Sequence, residues 1–316
     1  MNGGTGRSDA LFAGIDIGGT SIKWTIVDSR GRTLFEGSAP TDPDSVAGQS
    51  AQLVGDLVSA HPAIVGLGAC CPGIVDEDRG IVVYASNLNL REAELRLELE
   101  EAAGRPIRLL HDGRSAGLAE GLLGAGRGAS SFVMIPIGTG ISAALCFGGD
   151  LWAGASFSAG EIGHSPVFPE GEACACGQRG CLEVYASAKG LVKRYRAAGG
   201  EAAGARGVEA RLGEDPRADE VWAAAIDALA ISLTQMTFAL DPERFVIGGG
   251  LSRAGEVLLD PLRRELASRL RWRKAPEVVR AGLGSTAGRW GALIAAARAV
   301  GSECYREWSV LEQVVP

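Results

Sequence analysis

His164, Cys174, Cys176 and Cys181 stand in the order His-x9-Cys-x-Cys-x4-Cys. One imidazole and three thiols, on a loop that carries Gly177 and Gly180, suffice to close a tetrahedral zinc shell. A shell closed by four protein donors leaves no position for a substrate, so the metal expected here is structural. The competing reading is a set of reduced cysteines that share a loop without a metal. Glu161 precedes His164 by three residues and Glu183 follows Cys181 by two. A metal-stapled frame would hold both carboxylates as rigid acceptors for ligand hydroxyls; without it they read as solvated surface acids.

A second chemistry is written in glycine. Asp16-Ile17-Gly18-Gly19-Thr20 offers bare backbone amides and a hydroxyl to an anion, and Asp16 adds a carboxylate able to hold a magnesium shell. Alone, such a turn is an ordinary hairpin tip. Gly138-Thr139-Gly140 repeats the amide-and-hydroxyl design further along, and two such clamps together suit a triphosphate. Gly248-Gly249-Gly250 gives a third close approach, fit for a flat nucleoside. Asp112 follows a short apolar run, and a carboxylate at a strand's end is placed to accept the proton of an attacking hydroxyl. Its bland alternative is a cap for the helix that follows.

These residues need elements to hold them. Residues 11–28 alternate and then run apolar, which predicts two strands joined at the Asp16-to-Thr20 turn. Residues 45–60 carry helical spacing, and 64–69 reads as a buried strand ending at Cys71-Pro72-Gly73. A charged helix is expected over 90–103, closed by Gly104, then a strand over 107–110 that delivers His111 and Asp112, then a helix over 115–123. Residues 131–145 repeat the opening hairpin, so two lobes of one kind are implied. Residues 194–216, rich in Ala, Gly and charge, read as a loosely packed helical excursion. A long apolar helix over 221–240 stops at Asp241-Pro242, a strand over 245–247 runs into the three glycines, and helices are expected over 256–270 and 290–300.

Bulk properties fit this outline. A chain of 316 residues exceeds the usual single core, which favours two α/β lobes with a cleft. Its 46% hydrophobic and 22% charged composition is that of a soluble globular protein, and 46 glycines suit many tight turns. A net charge of −7 provides no basic field for nucleic acid. No run approaches the roughly 18 uncharged apolar residues of a membrane helix, and residues 1–10 hold no apolar signal core, so a cytoplasmic protein with no membrane partner is expected. In that reducing setting the crowding of Cys174, Cys176 and Cys181 favours metal over disulfides. Cys70, Cys71, Cys146 and Cys304 read as small apolar fillers, and Lys23, Trp24 and His61 carry no assigned chemistry.

Together the three glycine motifs resemble the phosphate and adenosine elements of the sugar kinase, heat-shock and actin superfamily. Ala159-Gly160-Glu161-Ile162-Gly163-His164, followed by Cys174-Ala175-Cys176-Gly177-Gln178-Arg179-Gly180-Cys181-Leu182-Glu183, is similar to the signature of the ROK family (repressors, open reading frames and sugar kinases). Residues 245–260 are similar to that family's actinobacterial glucokinases, and the resemblance runs from about Gly14 to Ala297. It implies an α/β, two-lobed actin-like ATPase (ribonuclease H-like) fold with a cleft between lobes and a zinc-binding loop. One lobe would span 1–118, completed by a C-terminal helix within 290–316. The other would span 119–289, with the zinc loop, nucleotide-binding and dimerisation elements.

The resemblance also implies ATP-dependent phosphorylation of a hydroxyl of a hexose or hexose-like polyol, with Asp112 as general base. Asp16, Gly18, Gly19, Thr20, Gly138, Thr139, Gly140, Gly249 and Gly250 would hold ATP with Mg2+. Gly73, Asn87, His111, Asp112, Glu161, His164 and Glu183 would hold the sugar. His164, Cys174, Cys176 and Cys181 would hold structural Zn2+, and the assembly would be a homodimer or a tetramer.

The chain departs from the family at His111-Asp112-Gly113-Arg114-Ser115, where relatives show Asn-Asp-Ala-Asn-Ala. An amide that donates and accepts gives way to an imidazole, and Arg114 brings a long cation beside the cleft. The Trp that often follows Asn87-Leu88 is also missing. The acceptor thus stays open among glucose, an N-acetylhexosamine and a C7-cyclitol. Two readings belong to other classes. A ROK repressor would need a helix-turn-helix domain ahead of Asp16, where only about fifteen residues stand. A sugar-binding or regulatory protein without catalysis would have no use for Asp112 and two phosphate turns.

Overall fold

Alternating apolar residues close the first hairpin. β1 (Leu11–Ile17) pairs antiparallel with β2 (Ser21–Asp28), setting Asp16 opposite Lys23, and β2 pairs antiparallel with β3 (Thr33–Pro40). The structure, a computed structural model, describes residues 10–309. Expectations for residues 1–9 and 310–316 therefore fall outside the described residues. After α1 (Val46–Ala60), β4 (Ile64–Cys71) runs parallel to β1. β5 (Ile74–Asp76), β6 (Ile81–Ala85) and β7 (Leu90–Ala93) make a small antiparallel sheet of their own. α2 (Leu95–Ala103) stops at Gly104 in the left-handed region, and β8 (Ile107–His111) returns parallel to β4, followed by α3 (Asp112–Leu123).

The main sheet of this lobe has the order β3-β2-β1-β4-β8. Because β1, β4 and β8 are parallel neighbours, their C-terminal ends share one edge. The register places Asp16 beside Cys70 and Cys71 beside His111. Ile15, Ile17, Ile22, Leu67 and Leu109 fill the core behind that edge.

The second lobe repeats the plan. β9 (Ser131–Pro136), β10 (Ala144–Phe147) and β11 (Asp150–Trp152) form an antiparallel meander. A loop leads to α4 (Leu182–Ala186), α5 (Ala188–Ala197), α6 (Ala205–Glu209) and α7 (Pro216–Leu240). β12 (Arg244–Gly248) joins parallel to β9, and after α8 (Glu256–Arg269), β13 (Glu277–Arg280) joins parallel to β12. The order β11-β10-β9-β12-β13 matches the first sheet strand for strand. α9 (Ala287–Ala299) then returns to pack on β1 and β4. The sequence reading breaks the chain at 118 and 289; the observed units break after Gly124 and before Thr286, and Gly154–Ser158 belongs with the first.

Several elements differ from the sequence reading, each for a local reason. Residues 90–93 are strand rather than helix, because Leu90 and Ala93 pair with β6. α3 starts at Asp112 rather than 115, since the His111 ring accepts the Arg114 amide and caps the helix there. The stretch 194–216 is not loose: Tyr195 and Val208 are buried in the core, and the Tyr195 hydroxyl donates to Asp215 Oδ2 at 2.6 Å. Asp215 in turn caps α7 by accepting the Arg217 amide, with Pro216 at the first helical position, so α7 begins before its apolar periodicity does. α7 is long and apolar enough, by length and composition, to cross a bilayer, but Ala225, Leu229 and Leu233 lie in the lobe's core.

Helix α9 comes so close to the sheet that side chains are excluded. A Cβ on Gly68 would overlap the Ala292 carbonyl oxygen, a backbone atom that cannot swing aside. Gly68→Ala is therefore expected to lower unfolding free energy by about 1–3 kcal/mol, read as a reduced urea midpoint. An unchanged midpoint would mean that α9 is not seated on β4 as described.

Candidate active site

In the first lobe the turn between β1 and β2 is drawn tight by the Gly18 amide, which donates to the Ser21 carbonyl at 3.1 Å. Thr41 clamps it from outside: its hydroxyl donates to the Gly18 carbonyl at 2.6 Å and its amide to the Thr20 carbonyl at 3.0 Å. Thr20 is exposed at the tip. Asn87 lies against this turn, for a Cβ on Gly19 would stand 3.1 Å from the Asn87 amide nitrogen. Gly73 closes the turn after β4 with a φ of +107°, where a side chain would overlap the Tyr84 carbonyl.

Asp16 and Asp112 come together at the C-terminal edge of β1 and β8. Burial holds the Asp16 carboxyl above its ordinary value of 3.8, and repulsion from Asp112 adds to it, while Lys23 and Arg289 pull the other way. Such a site is short of positive charge, which is what a divalent cation with oxygen ligands supplies. Asp112 Oδ1 accepts the Gly113 amide at 2.6 Å, and His111 Nε2 stands 3.2 Å from the same oxygen.

Arg114, expected as a long cation beside the cleft, is instead 2% exposed. Its guanidinium donates to Glu77 Oε1 at 2.6 Å, to the Val75 carbonyl at 3.1 Å and to the Phe157 carbonyl at 3.2 Å. Glu77 Oε1 also accepts the His111 amide at 2.9 Å. Arg114 is thus an internal tie, with no role on a ligand. Sequence reasoning gave Glu77 and Arg289 no part, and nothing in their spacing marks them. Lys23, to which the sequence reading assigns no chemistry, lies across the hairpin from Asp16, and the register of the two paired strands is the signal that would have found it.

In the second lobe, Gly138-Thr139-Gly140 tips the β9–β10 hairpin, the Gly138 amide donating to the Gly140 carbonyl at 2.9 Å. A Cβ added at Gly138 or at Gly250 would meet nothing within 4 Å, so both backbones are open to a ligand. Gly249 adopts a φ of +74° against Ile137, which precedes Gly138, so the Gly248-Gly249-Gly250 and Gly138-Thr139-Gly140 turns abut. Glu183 Oε2 accepts the Ile141 amide at 3.0 Å, which fastens α4 to the Gly138-Thr139-Gly140 turn. Glu161 is exposed at the start of the single turn Ile162–His164.

The four donors of the cysteine loop converge. Cys176 and Cys181 sulfurs are 3.7 Å apart, Cys174 Sγ is 3.8 Å from His164 Nδ1, and all four donor atoms lie within 4.8 Å of one another. With metal–sulfur bonds of about 2.3 Å, sulfurs of a tetrahedral zinc shell stand about 3.8 Å apart, so the set fits. A hydrogen bond from the Gln178 backbone draws the Cys176 thiol down to about 7, while burial pushes Cys181 up to about 12. Three sulfurs this close can all be thiolates only with a cation among them. His164 turns Nδ1 to the sulfurs, which leaves Nε2 on the opposite side of the ring.

The ROK family model matches residues 12–299. A glucokinase of Halalkalibacterium halodurans is 33% identical over 289 residues, covering 81% of this chain and 85% of that one. A ROK hexokinase from Thermus thermophilus superposes with a TM-score of 0.81 at 31% identity, covering 92% of this chain and 99% of the other. A ROK family glucokinase from Streptomyces griseus, solved in complex with glucose and AMPPNP, superposes with a TM-score of 0.78 at 30% identity, covering 92% and 100%. The fold of this chain is accordingly the actin-like one, two lobes on mixed sheets.

The raised Asp16 carboxyl has a thermodynamic sign. With its folded pKa above the unfolded value of 3.8, Asp16 favours the folded state below about pH 4 and withdraws that support as pH climbs through the folded value. At neutral pH the ligand-free protein carries the cost. Asp16→Asn should therefore raise the ligand-free Tm by about 2 °C at neutral pH, with the gain vanishing near pH 4. A lowered Tm at neutral pH would contradict this.

Proposed function

Because the chain belongs to the ROK family, we propose that it is an ATP-dependent kinase that phosphorylates a hydroxyl of a hexose or hexose-like polyol, with Asp112 as general base. The observation that carries this reading is the convergence of Asp112 and Asp16 at one sheet edge, next to the Gly18-Gly19-Thr20 turn. Asp112 takes the proton from the acceptor hydroxyl as its oxygen attacks the terminal phosphorus, and ADP leaves. Gly73 and Asn87 in the first lobe are suited to acceptor hydroxyls, and in the second lobe Glu161, Glu183 and His164 Nε2 are likewise suited. In the first lobe Gly18, Gly19 and Thr20 are suited to phosphate; in the second, Gly138, Thr139 and Gly140 are likewise suited to phosphate, and Gly249 and Gly250 to a nucleoside.

Asp16 is the residue suited to Mg2+, which when bound supplies positive charge to the phosphates. His164, Cys174, Cys176 and Cys181 suit Zn2+, which supplies rigidity to the loop between Glu161 and Glu183. Free thiols throughout the described residues suit the reducing cytoplasm, and a homodimer is the assembly that the resemblance implies.

His111, in the place of the family's Asn, favours an acceptor other than glucose, such as an N-acetylhexosamine or a C7-cyclitol. ADP release measured over a panel of hexoses, N-acetylhexosamines and C7-cyclitols decides the class. ATP binding without turnover on any of them would make the chain a sugar-binding regulator instead. Asp112→Asn should lower kcat by more than about a thousandfold while ATP affinity stays within about threefold; a loss under tenfold would remove Asp112 from the role of base. Cys176→Ser should strip the metal and lower Tm, and one retained equivalent of zinc would break the proposed shell.

A further inference from the structure

The ring of His111 is held at both nitrogens. Nδ1 accepts the Arg114 amide at 3.4 Å, and Nε2 stands 3.2 Å from Asp112 Oδ1. A neutral imidazole bears one proton, and a ring whose Nδ1 accepts must carry that proton on Nε2. Nε2–H then faces a carboxylate oxygen that already accepts the Gly113 amide at 2.6 Å. The His111 backbone is equally fixed: it is extended, with φ −70° and ψ 140°, and its amide donates to Glu77 Oε1 at 2.9 Å. Glu77 in turn is locked by the buried Arg114 guanidinium at 2.6 Å.

We propose that His111 is a positioning residue for phosphoryl transfer: held as the Nε2–H tautomer, it fixes Oδ1 of Asp112 and so assigns proton abstraction to Oδ2. The inference rests on the reading of Asp112 as base. In the step itself the acceptor O–H bond breaks, its proton passes to Oδ2, the oxygen's electron pair forms the new bond to the terminal phosphorus, and the bond from that phosphorus to ADP breaks. His111 neither gains nor loses a proton. It works by removing the rotation about the carboxyl bond that would otherwise exchange the two oxygens.

The chain has three histidines, His61, His111 and His164, so ring nitrogens labelled with 15N resolve individually, and the signals lost in His111→Asn identify the ring. The unsubstituted protein should show His111 with the one-bond and two-bond coupling pattern of the Nε2–H form. A ring protonated at Nδ1, or one averaging freely between tautomers, overturns the proposal. Kinetics supply the second readout. His111→Asn should lower kcat by about 10- to 100-fold with the acceptor KM changed less than about threefold. A raised KM with kcat preserved would show instead that His111 grips the acceptor directly. Should Asp112→Asn lose less than tenfold, the base assignment fails on its own, whatever tautomer the spectra report.

Discussion

Two carboxylates at one sheet edge impose the strongest constraint on this molecule. β1, β4 and β8 run parallel, so their ends bring Asp16 and Asp112 to the same side with only Cys70 and Cys71 between them. Burial and mutual repulsion make Asp16 reluctant to ionise, and Lys23 and Arg289 relieve that only in part. The fold tolerates the arrangement because the apolar rows behind it, Ile15 and Ile17 on β1 and Leu67 on β4, are fully buried. Stability is thus concentrated behind the edge and electrostatic cost at its rim, a common division for sites that await a charged ligand.

Rigidity around Asp112 comes from an ion pair that touches no ligand in this reading. Glu77 lies on the turn after β5 and Arg114 in the first turn of α3, yet one glutamate oxygen serves both the Arg114 side chain and the His111 amide. A largely buried pair of this kind contributes little net stability, but it fixes orientation, since losing Glu77 would leave the buried Arg114 guanidinium without its carboxylate. The same guanidinium reaches the Phe157 carbonyl, in the segment that rejoins the first lobe.

Much of this was legible in the residues themselves. The two hairpins could be read from alternation and their glycine tips, because period-two burial and tight turns are local properties. The cysteine loop could be read from spacing, since four donors able to close a shell seldom gather on one loop by chance. What failed were features decided at a distance. Residues 90–93 are a strand because β6 lies beside them, and 194–216 is packed because Tyr195 reaches Asp215; neither partner is visible in the local pattern. Arg114 looked like a ligand-side cation, because nothing near it in sequence announces Glu77. Buried charges are placed by tertiary contacts, and composition is silent about them.

One carboxylate in the second lobe couples two neighbourhoods. A single residue separates Glu183 from Cys181, and Glu183 receives the Ile141 amide, so the cysteine loop and the Gly138-Thr139-Gly140 tip are joined through two peptide units and one hydrogen bond. A loosening of that loop would be conveyed to the Gly138-Thr139-Gly140 tip through this one contact. The two neighbourhoods thereby depend on one another through a side chain that belongs to neither the four-donor cluster nor the glycine turn.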